Sequence, residues 1–154
     1  SRMGISKKIT IALAMVMSQS ASADARLEDL ECLAKNIYFE GRNQPWVGQV
    51  AIAQVTLNRV KSLTFPNTIC EVVRQKKRQI CQFSWYCDGK SDQPKNIKDY
   101  NKATEVAIQV YSRTIPDVTE GALWYHATYI RKPFWAYSFR EKVKINEHIF
   151  YTGK

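Results

Sequence analysis

The sequence predicts a mostly helical α+β domain with a small disulfide-braced β/loop region and a C-terminal β-hairpin. Three observations carry that expectation. Apolar residues recur at spacings of three and four through three long stretches. A cysteine-containing segment over residues 79–95 has no such period, and Val143 to Tyr151 reads as two short strands around a turn. At 154 residues, one domain with a modest core is the natural size.

The elements follow in order. Leu27, Leu30, Leu33, Ala34, Ile37 and Tyr38 form one face of a first helix, about Leu27 to Phe39. Gly41 is expected to close it in a left-handed conformation, which puts Glu40 in the last turn. Pro45 suits the first turn of a second helix running to about Lys61. That helix is apolar on nearly every side, so it is the expected buried element. Its polar exceptions are Gln49, Gln54 and Asn58. Gln54 is expected at nearby backbone or the surface, Gln49 and Asn58 as braces of the loop that carries Glu40. Asn67 or Thr68 caps a short third helix to about Gln75, followed by the basic run Arg74, Lys76, Lys77 and Arg78, read as a solvated face. Residues 79–95 read as an irregular segment with a hairpin held by Cys81 and Cys87. Asn96 caps a fourth helix, 97–113, with Tyr100, Ala103, Ala107, Val110 and Tyr111 as its core stripe.

The formal charge is +9. Residues 1–23 read as a secretory signal peptide: Lys7 and Lys8, an apolar run from Ile9 to Met17, then Ala21-Ser22-Ala23 ahead of cleavage before Asp24. The mature domain is then 24–154, exported to the cell envelope, and removal of three cations leaves 20 basic against 14 acidic residues. Such a surplus suits an anionic polymer, either nucleic acid or an envelope glycan bearing acidic peptides. Four cysteines in an exported chain read as two disulfides, and of three pairings the one expected is Cys70–Cys81 with Cys32–Cys87. A zinc site is disfavoured by the absence of paired Cys-x-x-Cys spacings.

Glu40 is the residue whose position is chemically unusual. A helix C-terminus disfavours a carboxylate, and Tyr38, Phe39 and Trp46 would add desolvation, so both effects favour the protonated acid. A protonated carboxyl near neutral pH is what glycosidic cleavage needs from a general acid. On spacing alone, a solvated glutamate paired with Arg42 is the stronger reading. Gln82-Phe83-Ser84-Trp85-Tyr86 leaves two equal readings, aromatics packed under the loop or a wall that stacks on a sugar. His126 would bond substrate or orient a tyrosine, although a lone histidine is more often a packed or surface residue; His148 is structural, and Tyr125 and Trp135 are further candidates for a subsite. Asp88, Asp92 and Glu120 are read as solvated turn residues.

Several runs in order resemble the SleB/CwlJ-type cell wall hydrolase family. They include Ile37-Tyr38-Phe39-Glu40-Gly41-Arg42, Gly48-Gln49-Val50-Ala51, Leu57-Asn58-Arg59-Val60 and Phe65-Pro66-Asn67-Thr68-Ile69-Cys70, then Cys81-Gln82-Phe83-Ser84-Trp85 and Ala122-Leu123-Trp124-Tyr125-His126. The resemblance implies a lysozyme-like fold and cleavage of the N-acetylmuramic acid–N-acetylglucosamine bond of peptidoglycan, with Glu40 as acid and then base. It implies Gln49, Gln82, Phe83, Ser84 and Tyr125 as substrate contacts, a monomer, and no cofactor, metal or nucleic acid. It tips Phe83 towards the wall of a cleft. The family's second motif glutamate is Gln44 here. With one convincing carboxylate, a lytic transglycosylase is the first reading. A hydrolytic muramidase and a non-catalytic peptidoglycan-binding module are the alternatives.

Overall fold

A computed structural model describes the backbone of residues 2–154 and the side chains from residue 19 onward. The chain runs α1 (Arg2–Gly41), α2 (Trp46–Lys61), α3 (Ile69–Val73), β1 (Lys76–Lys77), β2 (Ile80–Cys81), α4 (Ile97–Tyr111), β3 (Trp124–Ala127), β4 (Arg140–Ile145) and β5 (His148–Thr152). Single 3-10 turns occupy Ser84–Cys87 and Phe134–Tyr137. This is the mostly helical α+β architecture the sequence predicts. The apolar run Ile9–Met17 of the expected signal peptide lies outside the described side chains. Among the described residues no helix is long and apolar enough to cross a membrane.

α1 is longer than its apolar period indicates, and Leu27, placed on the core face by that period, is 64% exposed. The helix joins its neighbours only from about Asp29, whose Oδ1 accepts the Cys70 N–H at the start of α3. From Leu30 onward the predicted face packs against α2, α3 and α4.

α2 is the central element, buried from Gly48 to Leu57 and again at Arg59. Two cores share it. Val50, Ala53 and Leu57 face the helices, with Leu33, Ile37, Val72, Val106 and Val110. Ala51 and Val55 face the sheet, with Ala122, Ile145 and Phe150. A helix apolar all round is stable only when covered all round, and here helices and sheet do so from different sides.

The caps of the shorter helices are those the sequence indicates. Thr68 accepts from Glu71 N at the start of α3, and Asn96 accepts from Asp99 N at the start of α4. The C-terminal hairpin is present as β4–β5, turned at Asn146, whose φ of 51° is a left-handed conformation asparagine tolerates. The sheet also has a third strand the sequence reading missed: β3 pairs with β5 antiparallel, giving the order β3-β5-β4. At four residues, β3 is too short to show a period.

The disulfides correct the expected pairing. Cys32 bonds Cys70, with 5.3 Å between Cα atoms, and Cys81 bonds Cys87 at 5.9 Å. The first ties α1 to α3. The second closes the short turn after β2, where the hairpin reading had placed both cysteines. Pairing follows which Cα atoms the fold brings within reach, and sequence order does not supply that.

The two bridges should differ in worth. Loop-closure entropy predicts a loss of about 4 kcal/mol for Cys32→Ser/Cys70→Ser, which opens a 38-residue separation. Cys81→Ser/Cys87→Ser opens one of 6 and should lose about 2 kcal/mol. Denaturant unfolding of the two variants checks the order, and a larger loss from the short loop would contradict it.

Candidate active site

The last turn of α1 delivers Glu40 to the junction of helices and sheet. Gly41 is the final helical residue, with no left-handed φ, so its expected capping role is wrong. It is glycine for space: a Cβ there would collide with Cδ1 of Ile52 on α2. Its carbonyl accepts from Gln44 N and from Gln49 Nε2, each at 3.0 Å. The helix end is thereby satisfied without a charge.

The Glu40 carboxyl is partly buried, and two groups from other elements answer it. The Tyr125 hydroxyl on β3 donates to Oε1 at 2.7 Å. The Arg59 guanidinium on α2, 4% exposed, lies over the rings of Phe65 and Phe83 at 4.9 and 5.1 Å. Arg59 Nε donates to Leu123 O at 2.8 Å, whereas its buried Nη1 has no hydrogen-bond partner. Burial raises the pKa of Glu40, opposed by the Tyr125 hydrogen bond and then by the Arg59 charge. Burial also drives the Tyr125 hydroxyl well above its ordinary range, reinforced by Glu40, so it stays a donor. Because Tyr125 holds Oε1, a protonated Glu40 carries its hydrogen on Oε2.

Glu40 opens into a groove of about 520 Å³. One wall is Tyr38, Phe39 and Trp85, the other the loop from Asp88 to Lys95. Phe39 stacks on Trp85 at 4.7 Å, and Trp85 Nε1 donates to buried Asn36 Oδ1 at 2.9 Å, which fixes that wall. A larger depression of about 630 Å³ beside Leu63 and Phe65 does not include Glu40. Its one carboxylate, Glu71, is held by the cap residue Thr68. Among the described residues no three His, Cys, Asp or Glu side chains are grouped to hold a metal.

The family profile described as Cell Wall Hydrolase matches residues 43–151. The chain belongs to that family. The Bacillus cereus spore cortex-lytic enzyme is 34% identical over 122 residues, which are 79% of this chain and 43% of that protein. The enzyme of the same description from Bacillus subtilis is 32% identical over 124 residues, 79% of this chain and 37% of that one. This chain therefore spans less than half the length of these relatives. Two solved structures are similar, each at 34% identity. The catalytic domain of the Bacillus cereus SleB protein matches with a TM-score of 0.62, over 80% of this chain and 89% of that one. The catalytic domain of the germination-specific lytic transglycosylase SleB from Bacillus anthracis matches with 0.63, over 80% and 93%.

In this member of the family, the residues expected at the site divide. Tyr125 touches Glu40, and Ser84 lines the groove with it. Gln49 is 1% exposed and holds the Gly41 carbonyl, so it braces Glu40 from below and has no surface for a substrate. Phe83 is 2% exposed and lies under Arg59, which removes it from the cleft wall. Gln82 lies with Lys77, Arg78 and Ile80 in a separate shallow depression on the β1–β2 hairpin. Along this stretch Cys81, Phe83 and Trp85 point in while Gln82 and Ser84 point out. The sequence offers no way to choose that phase.

Other expectations resolve similarly. Trp46 does not desolvate Glu40; it is 48% exposed and donates to Gln109 Oε1 at 2.8 Å. Asn58 braces the loop before β3 and not the one carrying Glu40, bonding Asp117, Thr119 and Ala122 O. Gln54 bonds nearby backbone as expected, at Pro116 O and Val118 N. Buried His126 orients a tyrosine, its Nε2 lying 2.8 Å from the Tyr151 hydroxyl. Trp135 packs against His126 and Tyr151, away from the groove lining. Arg42 pairs with Asp99 at 2.8 Å and not with Glu40. Arg59 was passed over as a functional residue. The signal available was a cation placed before the final residue of a helix otherwise read as core, with Lys61 at its end.

The raised pKa of Glu40 has a thermodynamic consequence. A proton held more tightly in the folded state gives stability that is full below the ordinary carboxylate pKa and lost as pH rises through the raised one. Glu40→Gln removes that dependence. Its melting temperature relative to the parent should therefore be more favourable near pH 8 than near pH 4, and calorimetry at both checks it. Tyr125→Phe removes a hydrogen bond that favours the carboxylate, so the Glu40 carboxyl ¹³C titration should move to higher pH.

Proposed function

We propose that this chain cleaves the glycan of peptidoglycan between N-acetylmuramic acid and N-acetylglucosamine, as a lytic transglycosylase with Glu40 as its catalytic residue. One observation carries this: a carboxyl whose burial favours the acid form sits in a groove, with a tyrosine hydroxyl on Oε1 and a buried cation to receive its negative charge. The kinship with SleB catalytic domains supports it.

The chemistry needs one carboxyl. Glu40 Oε2–H protonates the glycosidic oxygen as the bond to the muramoyl C1 breaks, and the leaving sugar departs as an alcohol. The resulting Glu40 carboxylate takes the proton from the muramoyl C6 hydroxyl. That oxygen then closes on C1, giving a 1,6-anhydro end and returning the acid. Tyr125 and Arg59 serve the middle of this cycle, when Glu40 is an anion in a place that disfavours one. Gln44 is buried and donates to Glu147 Oε2 at 2.9 Å, outside the groove lining. Its lack of a carboxylate therefore takes no acid from the groove, which favours an enzyme over a silent binding module.

A hydrolytic muramidase is the second reading, because Asp88 lines the same groove and offers a second carboxylate to direct water. An exported location in the envelope, with the leader of 1–23 removed, accords with two disulfides. The wall is then the partner.

Glu40→Gln should lower release of soluble fragments from purified peptidoglycan by about 100-fold or more while melting stays cooperative; retained activity removes Glu40 from the mechanism. Mass spectrometry of the products separates the two reactions, since anhydro ends lack one water relative to reducing ends. EDTA should leave the rate unchanged.

A further inference from the structure

The loop wall of the groove has a feature that cleavage itself does not use. Arg42, Lys90 and Lys95 line the groove with Glu40, against Asp88 as the one other carboxylate of the lining. Arg42 is committed to Asp99 at 2.8 Å and to the Tyr38 hydroxyl at 3.2 Å. Lys90 and Lys95 are exposed, and neither has a carboxylate within ion-pair distance among the described residues. Asp88 turns an oxygen onto the Lys90 backbone N–H at 2.9 Å, fixing the turn.

The segment is held at both ends. The Cys81–Cys87 bridge precedes it, and at its far end Asn96 N donates to the buried Tyr38 hydroxyl at 3.2 Å while Asn96 caps α4. Between them Gln93 N donates to Ser91 Oγ at 3.2 Å. Two uncompensated cations are thus carried on a pre-formed concave wall, where binding orders little new backbone. Neither lysine is among the groups that move the Glu40 pKa.

We propose that Lys90 and Lys95 form an anion subsite that binds carboxylates carried by the muramoyl residue of the glycan. This rests on the peptidoglycan reading above. The hexosamine backbone is uncharged, so a cationic wall is matched only by what muramic acid bears: the carboxylates of the peptide where one is attached, or, where the peptide amide is absent, the freed carboxylate of its lactyl ether. Ser91 and Gln93, on the same wall, offer neutral hydrogen bonds beside the charges.

Co-sedimentation with insoluble wall tests it, using the full chain carrying Glu40→Gln so that the wall is not digested. Three substrates are compared: intact peptidoglycan, strands stripped of peptide by an amidase and coupled to beads so that they sediment, and peptidoglycan whose carboxyls are amidated with carbodiimide and ammonia. Lys90→Ala/Lys95→Ala should weaken binding to intact wall, to stripped strands or to both about tenfold and leave binding to amidated wall unchanged. Lys98→Ala/Lys102→Ala removes the same charge from the exposed face of α4 and should have no such effect. A difference seen on intact wall and lost on stripped strands assigns the peptide carboxylates, and a difference seen on stripped strands assigns the lactyl carboxylate that the amidase frees. Equal affinities with and without the loop lysines on both intact wall and stripped strands would overturn the proposal, as would an equal loss from the α4 pair. A parent protein that binds but releases no fragments would instead defeat the catalytic reading and leave this one standing.

Discussion

Burying a carboxyl at the negative end of a helix is unfavourable unless other parts of the chain compensate it, and much of this fold serves that compensation. Glu40 closes α1, Tyr125 comes from β3 and Arg59 from α2, so three elements distant in sequence must meet within hydrogen-bond and Coulombic range. The polar residues of α2 accomplish the meeting. Gln49 holds the carbonyl of Gly41, Gln54 holds Pro116 and Val118, Asn58 holds Asp117, Thr119 and Ala122, and Arg59 holds Leu123. An otherwise apolar helix thus fixes both the end of α1 and the segment that leads into β3. Each of these amides would be costly in a core without its partner.

Close approach is the second condition. Gly41 admits Ile52, and Gly48 leaves room for Asn146 and Gln44, whose side chains would lie about 3 Å from an added Cβ. The turn of the β4–β5 hairpin therefore docks on the start of α2, tied by the Gln44–Glu147 hydrogen bond. A glutamate at position 44 would face the Glu147 carboxylate there, and two carboxylates at that distance repel unless one is protonated. The departure from the family motif at Gln44 is in this chain a structural fit between two loops.

The groove joins two kinds of wall with different duties. Phe39 and Trp85 are locked by stacking and by Asn36, giving a rigid aromatic side. The loop opposite carries charge and hydrogen-bonding groups on a backbone fixed by a disulfide and a helix cap. Glu40 lies between them, its burial favouring the acid form and the Tyr125 hydrogen bond favouring the carboxylate.

Much of this was legible in the sequence, for identifiable reasons. Helices long enough to show a 3.6 period, the Thr68 and Asn96 caps and the final hairpin are local matters, set by neighbouring residues. So was the oddity of Glu40, because its place in the last turn follows from the apolar pattern before it. Contacts between distant segments were not legible. The disulfide partners, the inward turn of Phe83, the exposure of Trp46 and the bracing duty of Gln49 depend on which elements pack together. The pairing of Arg59 and Tyr125 with Glu40 does too, because residues 40, 59 and 125 have no relation along the chain that a period or motif could express. The sequence by itself determined that Glu40 would stand in the last turn of a helix; packing decided what surrounds it, since burial and hydrogen bonding are properties of neighbours in space.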